Sequence, residues 1–360
     1  MTKTMEKNKK VVLGLSGGVD STAAALLLKE KGYEVTGLFF DVLGNQVKEK
    51  ERAEQAAKEL NIPFVYKDIK EAFSENVISY FCESYQKGET PNPCIICNPT
   101  IKFKLMEEEA NRLGAYHLAT GHYANIEFDE DTNCHFIKRA DNEKKDQSYM
   151  LYRLPQSIIQ RLIFPLGNVE SKDIIRDFVR EHQIHNADAK DSQEICFIKQ
   201  GNYIDYLKKR GYFGKTGDFI DKEGNILGKH SGIINYTIGQ RKGLGITFGK
   251  PMFVIGMDEK KNQVVLGENE DLFQKIIYAK DCRFSIQNQG EEGFPKEYDG
   301  ISVLAKVRYA SKPAKAKIYR DENGMVRAEF EEKQRAATPG QSMVFYLGDR
   351  LIGGGFITNR

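Results

Sequence analysis

The stretch Val11 to Ser21, VVLGLSGGVDS, constrains this chain more than any other. Val11-Val12-Leu13-Gly14-Leu15 is an apolar run of the length a buried strand needs. Gly17 and Gly18 then permit backbone angles and close approaches that a side chain forbids. Ser16, Asp20 and Ser21 place two hydroxyls and a carboxylate beside the free N–H groups of an opening helix, which makes an anion cradle. No Gly-Lys-Ser/Thr follows at the required spacing, so the cradle is not a Walker A loop. Alternation continues downstream, with a helix Ser21–Lys31 stopped by Gly32, a strand Val35–Phe40, a charged Ala-rich helix Glu49–Leu60 and a strand Phe64–Ile69. A helix Ala72–Gln86 carries Val77, Tyr80, Phe81 and Tyr85 on one side, and a strand His117–Thr120 closes at Gly121-His122. Such alternation predicts an α/β fold, a parallel sheet covered by helices on both faces. Ligands of such sheets sit at the carboxyl ends of strands, where the Ser16 turn, Phe40 and Gly121 all fall.

Later segments change character. Ala124–Ala140 reads as a hairpin with its tip at Asp129–Asn133, and Gln147 to about Leu207 as mainly helical with breaks near Pro155, Pro165 and 188–198. Residues 211–249 are rich in glycine and short strands, and from Asp281 onward apolar and polar residues alternate between Gly and Pro turns. That alternation predicts a small antiparallel barrel. Three segments are therefore expected, 1–210, 211–280 and 281–360. With 40% hydrophobic and 29% charged residues and no apolar run of 18, a globular chain without a membrane span is expected. The basic start MTKTMEKNKK lacks an apolar signal core, which points to a cytoplasmic location. A net charge of only +2 does not by itself demand a nucleic-acid partner.

Six cysteines are too few for a disulfide scaffold and direct attention to reactive, metal-binding or core roles. In Thr90–Phe103, TPNPCIICNPTIKF, Asn98 has the chemistry of an N-cap and Pro99 that of the first helical position. Cys97 is then expected just before a helix N-terminus, whose positive end lowers a thiol pKa. A free thiol is only about 3% ionised at pH 7, so this shift decides reactivity. Cys94-x-x-Cys97 is also compatible with half a zinc site, inert loop thiols or a redox pair. Cys196 follows a polar loop, Cys82 lies on an apolar helix face, and Cys134 and Cys282 read as structural.

SGGxDS resembles the PP-loop of enzymes that split ATP between its α and β phosphates. Nine segments together are similar to one family, the tRNA-specific 2-thiouridylases. They are GLSGGVDS (Gly14–Ser21), GLFF (Gly37–Phe40), TPNPCIICNPTIKF, ATGHYA (Ala119–Ala124), KDQSYML (Lys145–Leu151), DSQEICFI, YTIGQRKGLGI (Tyr236–Ile246), VRY (Val307–Tyr309) and TPGQSMVFY (Thr338–Tyr346). The resemblance implies that Gly14, Leu15, Ser16, Gly17, Gly18, Val19, Asp20 and Ser21 hold ATP phosphates, with Phe40 and Gly121 at the adenosine. It implies Cys97 as nucleophile and Cys196 as persulfide carrier. His122, Lys145, Asp146, Gln147, Arg308, Tyr309 and Gln341 match positions that touch tRNA, and Asn92, Pro93 and Cys94 match the loop beside the target base. Position 94 is commonly Asp in the family and is Cys here. Implied with these are ATP and Mg2+, tRNA as partner, and a persulfide sulfur donor, either a cysteine desulfurase or a relay protein.

The implied chemistry exchanges the C2 oxygen of a wobble uridine for sulfur. Adenylation converts that oxygen into a group that leaves with AMP; sulfur then arrives either as a persulfide on Cys196, released by Cys97, or as hydrogen sulfide freed first. A 4Fe–4S cluster on Cys94, Cys97 and Cys196 is a further expectation from the third thiol. Between Val303 and Arg320 six basic residues (306, 308, 312, 315, 317 and 320) occur with Tyr309 and Tyr319 and no acid, a pattern suited to phosphates and bases.

Overall fold

The computed structural model describes residues 8–189, 195–199, 201–246, 249–286 and 294–359. The chain forms two compact units, one of residues 1–77, 94–197 and 349–351, the other of 78–93, 198–348 and 352–360.

The first unit is built on a parallel sheet. Its strands are β1 (Lys10–Gly14), β2 (Glu34–Asp41), β3 (Phe64–Asp68), β4 (His117–Ala119) and, after a hairpin of β5 (Ala124–Asp129) and β6 (Cys134–Arg139), β7 (Leu162–Ile163). The order is β3-β2-β1-β4-β7. Val11, Val12 and Leu13 are essentially inaccessible, which stabilises by about 1.5–3 kcal/mol for each such side chain. Helices Val19–Glu30 and Val47–Glu59 supply Ala23, Ala24, Ala25, Ala53 and Ala57 to the same core. Small residues there let helices lie close to the sheet. β7 falls in a stretch expected to be mainly helical; two residues between Arg161 and Phe164 are too short to show a period. From β1 the chain steps outward to β2 and β3, then returns to the opposite side for β4. The switch point is thus the crevice between β1 and β4.

The second unit holds two β systems. A four-stranded sheet orders β8 (Gly217–Ile220), β9 (Ile226–His230), β10 (Phe253–Asp258) and β11 (Gln263–Gly267) as β10-β11-β8-β9 around Phe219, Val254, Val264 and Leu266. Six antiparallel strands follow: β12 (Phe273–Phe284), β13 (Ser302–Lys306), β14 (Ala314–Arg320), β15 (Val326–Arg335), β16 (Ser342–Leu347) and β17 (Arg350–Thr358). They run β12-β15-β14-β13-β16-β17, and pairing of β12 with β17 closes the barrel. Alternate burial along β14 (Ala316 and Ile318 in, Lys315 and Lys317 out) is the period of two that the sequence carried. The fold is the expected α/β domain followed by a small β-rich region and an antiparallel barrel. No helix among the described residues is long and apolar enough to cross a membrane.

Candidate active site

The cradle lies at the switch point. Gly18 is the N-cap of the helix Val19–Glu30, and Ser16 donates its backbone N–H to Ser21 Oγ at 3.2 Å. Ser21 Oγ in turn donates to Gly18 O at 3.0 Å. Gly17 has φ +75°, and a Cβ there would stand 2.8 Å from Ala53 N, so both conformation and space require glycine. Gly121, at the end of β4, lies so close that a Cβ would meet Asp20 C and Ser21 N at 2.9 Å. Asp20 is held between Tyr123 Oη at 2.8 Å and Lys172 Nζ at 2.9 Å. Asn186, buried, donates through Nδ2 to Gly17 O at 3.0 Å and Thr22 Oγ1 at 2.7 Å. Tyr123, Lys172 and Asn186 are structural partners of the cradle that sequence reading missed, since nothing local joins residues more than 100 positions apart. Phe40 is half-buried near the end of β2, followed by buried Asp41, which accepts the Gly44 N–H at 2.7 Å and the Tyr66 hydroxyl at 3.2 Å.

The cysteine segment departs from expectation. A helix starts at Pro93 and runs Pro93–Cys97, passes into a π-helical turn Asn98–Lys102, and continues as Phe103–Leu113. Cys97 therefore lies within helical backbone rather than ahead of it. Asn98 caps nothing; it is buried and donates through Nδ2 to Met150 O at 2.9 Å. The thiol shift is also reversed. Burial pushes Cys97 up to about 11 and Cys196 up to about 12, and raises Cys94 as well. Lys102 opposes this at all three thiols, and its backbone N–H also favours the Cys97 thiolate. Lys102 is a further residue missed; its only signal was a cation five positions after Cys97.

The three sulfurs share one neighbourhood, because a charge on Cys94 or Cys97 further disfavours charge on Cys196. Phe197 anchors the Cys196 segment edge-on against Phe73, with ring centroids 5.8 Å apart. Asp191–Glu194 of the same motif lie outside the described residues. His122 connects the regions: its Nδ1 is 2.7 Å from Thr120 Oγ1, and its ring stacks on Phe103 at 6.1 Å. Burial, and then Lys102, hold His122 well below its usual pKa, so it is neutral at pH 7. No disulfide joins any of the six cysteines. Among the described residues no group of three His, Cys, Asp or Glu is arranged to hold a metal ion, so the expectation of a 4Fe–4S cluster is not sustained. Three neighbouring thiols are necessary for such a cluster, but their directions must also converge. The same finding gives Mg2+ no ready-made protein cage; such an ion ordinarily arrives with the phosphates and keeps several waters.

The remaining expected residues fall in several places. Asp146 is buried and accepts from the backbone of Ala140 and Ser148 and from Ser148 Oγ, so its carboxylate builds a turn. Gln147 Oε1 accepts the Tyr123 N–H at 3.0 Å, and Lys145 lies beside it, half-buried. In the second unit Gln341 donates to Thr90 O at 2.7 Å, which fixes the segment leading to Asn92 and Pro93. Arg308 and Tyr309 are exposed after β13. The basic patch is less uniform than its sequence implied: Lys306 is buried with Nζ 5.6 Å from the Tyr309 ring, and Lys317 pairs in register with Glu329 of β15. Acids absent from the segment arrive from the neighbouring strand. A cleft of about 660 Å³ there is lined by Arg308, Lys312, Lys315 and Arg335 together with Glu331 and Glu332.

Residues 9–200 match the family described as tRNA methyl transferase HUP domain, 204–268 its PRC-barrel domain, and 275–357 the aminomethyltransferase beta-barrel domain. The chain is 46% identical over 365 residues to the tRNA-specific 2-thiouridylase MnmA of Clostridioides difficile (strain 630), covering 98% of this chain and 99% of that protein. The chain belongs to the tRNA-specific 2-thiouridylase family. A second member of this thiouridylase family, from Syntrophomonas wolfei, is 45% identical over 348 residues, 97% of this chain and 99% of its own length. Among solved structures, NMN synthetase from Francisella tularensis is similar at 17% identity over 58% of this chain and 79% of its own, with a TM-score of 0.36. The matched domain descriptions speak of methyl transfer, whereas the near full-length thiouridylases are named for thiolation.

Proposed function

We propose that this chain is an ATP-dependent tRNA-uridine 2-sulfurtransferase that converts a wobble uridine to 2-thiouridine, releasing AMP and pyrophosphate. The observation that carries this reading is the presence, within one compact unit, of a phosphate cradle and a three-thiol neighbourhood joined through Gly121 and His122. In this reading Gly14–Ser21 bind the ATP phosphates, and Phe40 and Gly121 border the adenosine. Uridine O2 attacks the α phosphorus and pyrophosphate leaves. Fixed N–H groups at a helix start stabilise charge that grows on the phosphates.

Cys196 then supplies sulfur as a persulfide. Its terminal sulfur attacks C2 and AMP departs with the former O2. Cys97 attacks Cys196 Sγ, the S–S bond to the new sulfur breaks, and a Cys97–Cys196 disulfide remains. The transferred sulfur gains two electrons as the two cysteines lose them, so the step balances. Freed hydrogen sulfide as the attacking species is the other order. Because both thiols are held up by burial, Cys97 needs to lose its proton on substrate arrival, and Lys102 is the cation placed to favour that loss.

We assign tRNA contacts to Asn92, Pro93, Cys94, His122, Lys145, Gln147, Arg308, Tyr309 and Gln341, with Asp146 acting through the turn it builds. The division of labour follows 1–210 for catalysis, 211–280 for the central region and 281–360 for tRNA binding, with β12 opening the barrel from Phe273. A persulfide-bearing protein in the cytoplasm is the donor this chemistry asks for. Nucleoside mass spectrometry after incubating tRNA with enzyme, ATP, Mg2+, a cysteine desulfurase and cysteine tests the proposal. 2-Thiouridine at the wobble position is expected; its absence while AMP still forms rejects sulfur transfer by this chain.

A further inference from the structure

We propose that Cys94 is a resolving thiol: it takes over the disulfide left on Cys97 and returns Cys196 to the thiol form needed for reloading. The helix starts at Pro93, so Cys94 and Cys97 stand one turn apart on it. Residues three apart on an α-helix have Cα atoms about 5 Å apart, by its rise and turn. That separation lies inside the range of about 4.4–6.8 Å in which a disulfide closes. Side chains three apart also share a face. Ile95 and Asn98 form the buried face here, at 0% and 2% exposure, while Cys94 is exposed and Cys97 partly so. The two thiols thus flank one open stripe of a helix whose other side is packed, and Cys196 lies in their neighbourhood. The widened turn Asn98–Lys102 begins immediately after Cys97, a break of a kind that recurs at functional sites.

The step needs no new oxidant. It rests on the proposed reaction, which ends with a Cys97–Cys196 disulfide. Cys94, as thiolate, attacks Cys97 Sγ; the Cys97–Cys196 bond breaks and a Cys94–Cys97 bond forms. Cys196 leaves as thiolate and takes up the proton that Cys94 gave away. The number of disulfides is unchanged, and the exposed Cys94–Cys97 bridge is then reduced by a small-molecule or protein dithiol, which becomes oxidised in turn. A chain with a carboxylate at position 94 has no such internal route and depends on an outside thiol reaching the Cys97–Cys196 bond.

A single turnover of persulfide-loaded full-length enzyme with ATP, Mg2+ and tRNA, quenched in acid and alkylated, separates the cases by peptide mapping. Trypsin leaves Cys94 and Cys97 in one peptide, 88–102, and Cys196 in another, 191–199. The expected result is peptide 88–102 closed on itself and Cys196 alkylated. Cys94→Ser should instead trap the two peptides joined. Its later turnovers should slow relative to its own first turnover by about tenfold, and dithiothreitol should restore them. A purely structural role for Cys94 would not respond to the reductant. Wild-type enzyme that ends with the two peptides joined and Cys94 alkylated overturns the proposal, as does Cys94→Ser turning over repeatedly without reductant. Absence of any disulfide after 2-thiouridine has formed, or absence of 2-thiouridine, instead strikes the underlying reaction.

Discussion

The phosphate cradle and the thiol cluster occupy the same unit but are finished to different degrees. The cradle is complete before any ligand arrives: Gly17 and Gly121 are hemmed in by backbone, and Asp20 and Asn186 are each held by two bonds. The thiols share one neighbourhood and are held in their protonated form by the desolvation that the packed atoms around them impose, although Cys94 and Cys196 reach the surface. In the proposed reaction, one region is preorganised for the charge that ATP phosphates carry. In the same reaction, the other region keeps its nucleophile protonated until substrate arrives. Under the proposed assignment, substitutions in one region should impair adenylation and those in the other sulfur transfer, each without the other.

The largest effect should follow filling the cradle. Gly121→Val and Gly17→Val each drive side-chain atoms into backbone at contacts already under 3 Å for a Cβ. AMP formation should fall by about 100-fold or more, the scale of losing preorganised phosphate stabilisation. Pyrophosphate release in the presence of tRNA measures it; normal release would mean that the phosphates bind elsewhere. Cys196→Ser sharpens the contrast from the other side. Thiolation should be abolished while tRNA-dependent AMP formation continues, and equal loss of both would merge the two regions into one.

The pH dependence of alkylation comes next. With Cys97 raised to about 11 and Cys196 to about 12, iodoacetamide should modify Cys97 about two and Cys196 about three orders of magnitude more slowly than a free thiol at pH 8. The rate should climb about tenfold per pH unit up to about 11. The folded state keeps these protons longer than the unfolded chain does. Their contribution to stability is therefore complete below the unfolded thiol pKa and is lost as pH rises through the folded values. A plateau of alkylation near pH 7 would show an activated resting thiol. Asn186→Ala is smaller again. It removes two bonds and should cost about 1–3 kcal/mol in denaturant unfolding and raise the KM for ATP more than it lowers kcat. An unchanged KM would detach Asn186 from the cradle. Least of all, Arg308→Ala should flatten the salt dependence of tRNA affinity by about one phosphate contact.

Much of the first region was legible and much of the second was not, for physical reasons. Val11–Leu15 with Ser-Gly-Gly carries its own strand, turn and helix start, all local. The cysteine segment holds two nearly equivalent starts, Asn92-Pro93 and Asn98-Pro99, and local chemistry cannot rank them. Tertiary contacts do: Ile95 is fully buried and Asn98 is drawn off to Met150 O, so the helix begins at the earlier pair. Thiol ionisation was misread for the same reason, since the helix begins ahead of Cys97 and desolvation at its thiol outweighs the Lys102 charge. The barrel was legible from its period of two, but the acids of β15 that stand against its basic strand belong to a different part of the sequence.

In the proposed reaction uridine O2 is the atom that ATP activates beside the thiols. tRNA carrying 18O at C2 of the wobble uridine tests this most directly, by mass spectrometry of the released AMP and the product nucleoside. One 18O in AMP for each 2-thiouridine formed is the predicted result. 2-Thiouridine formed alongside unlabelled AMP would contradict it.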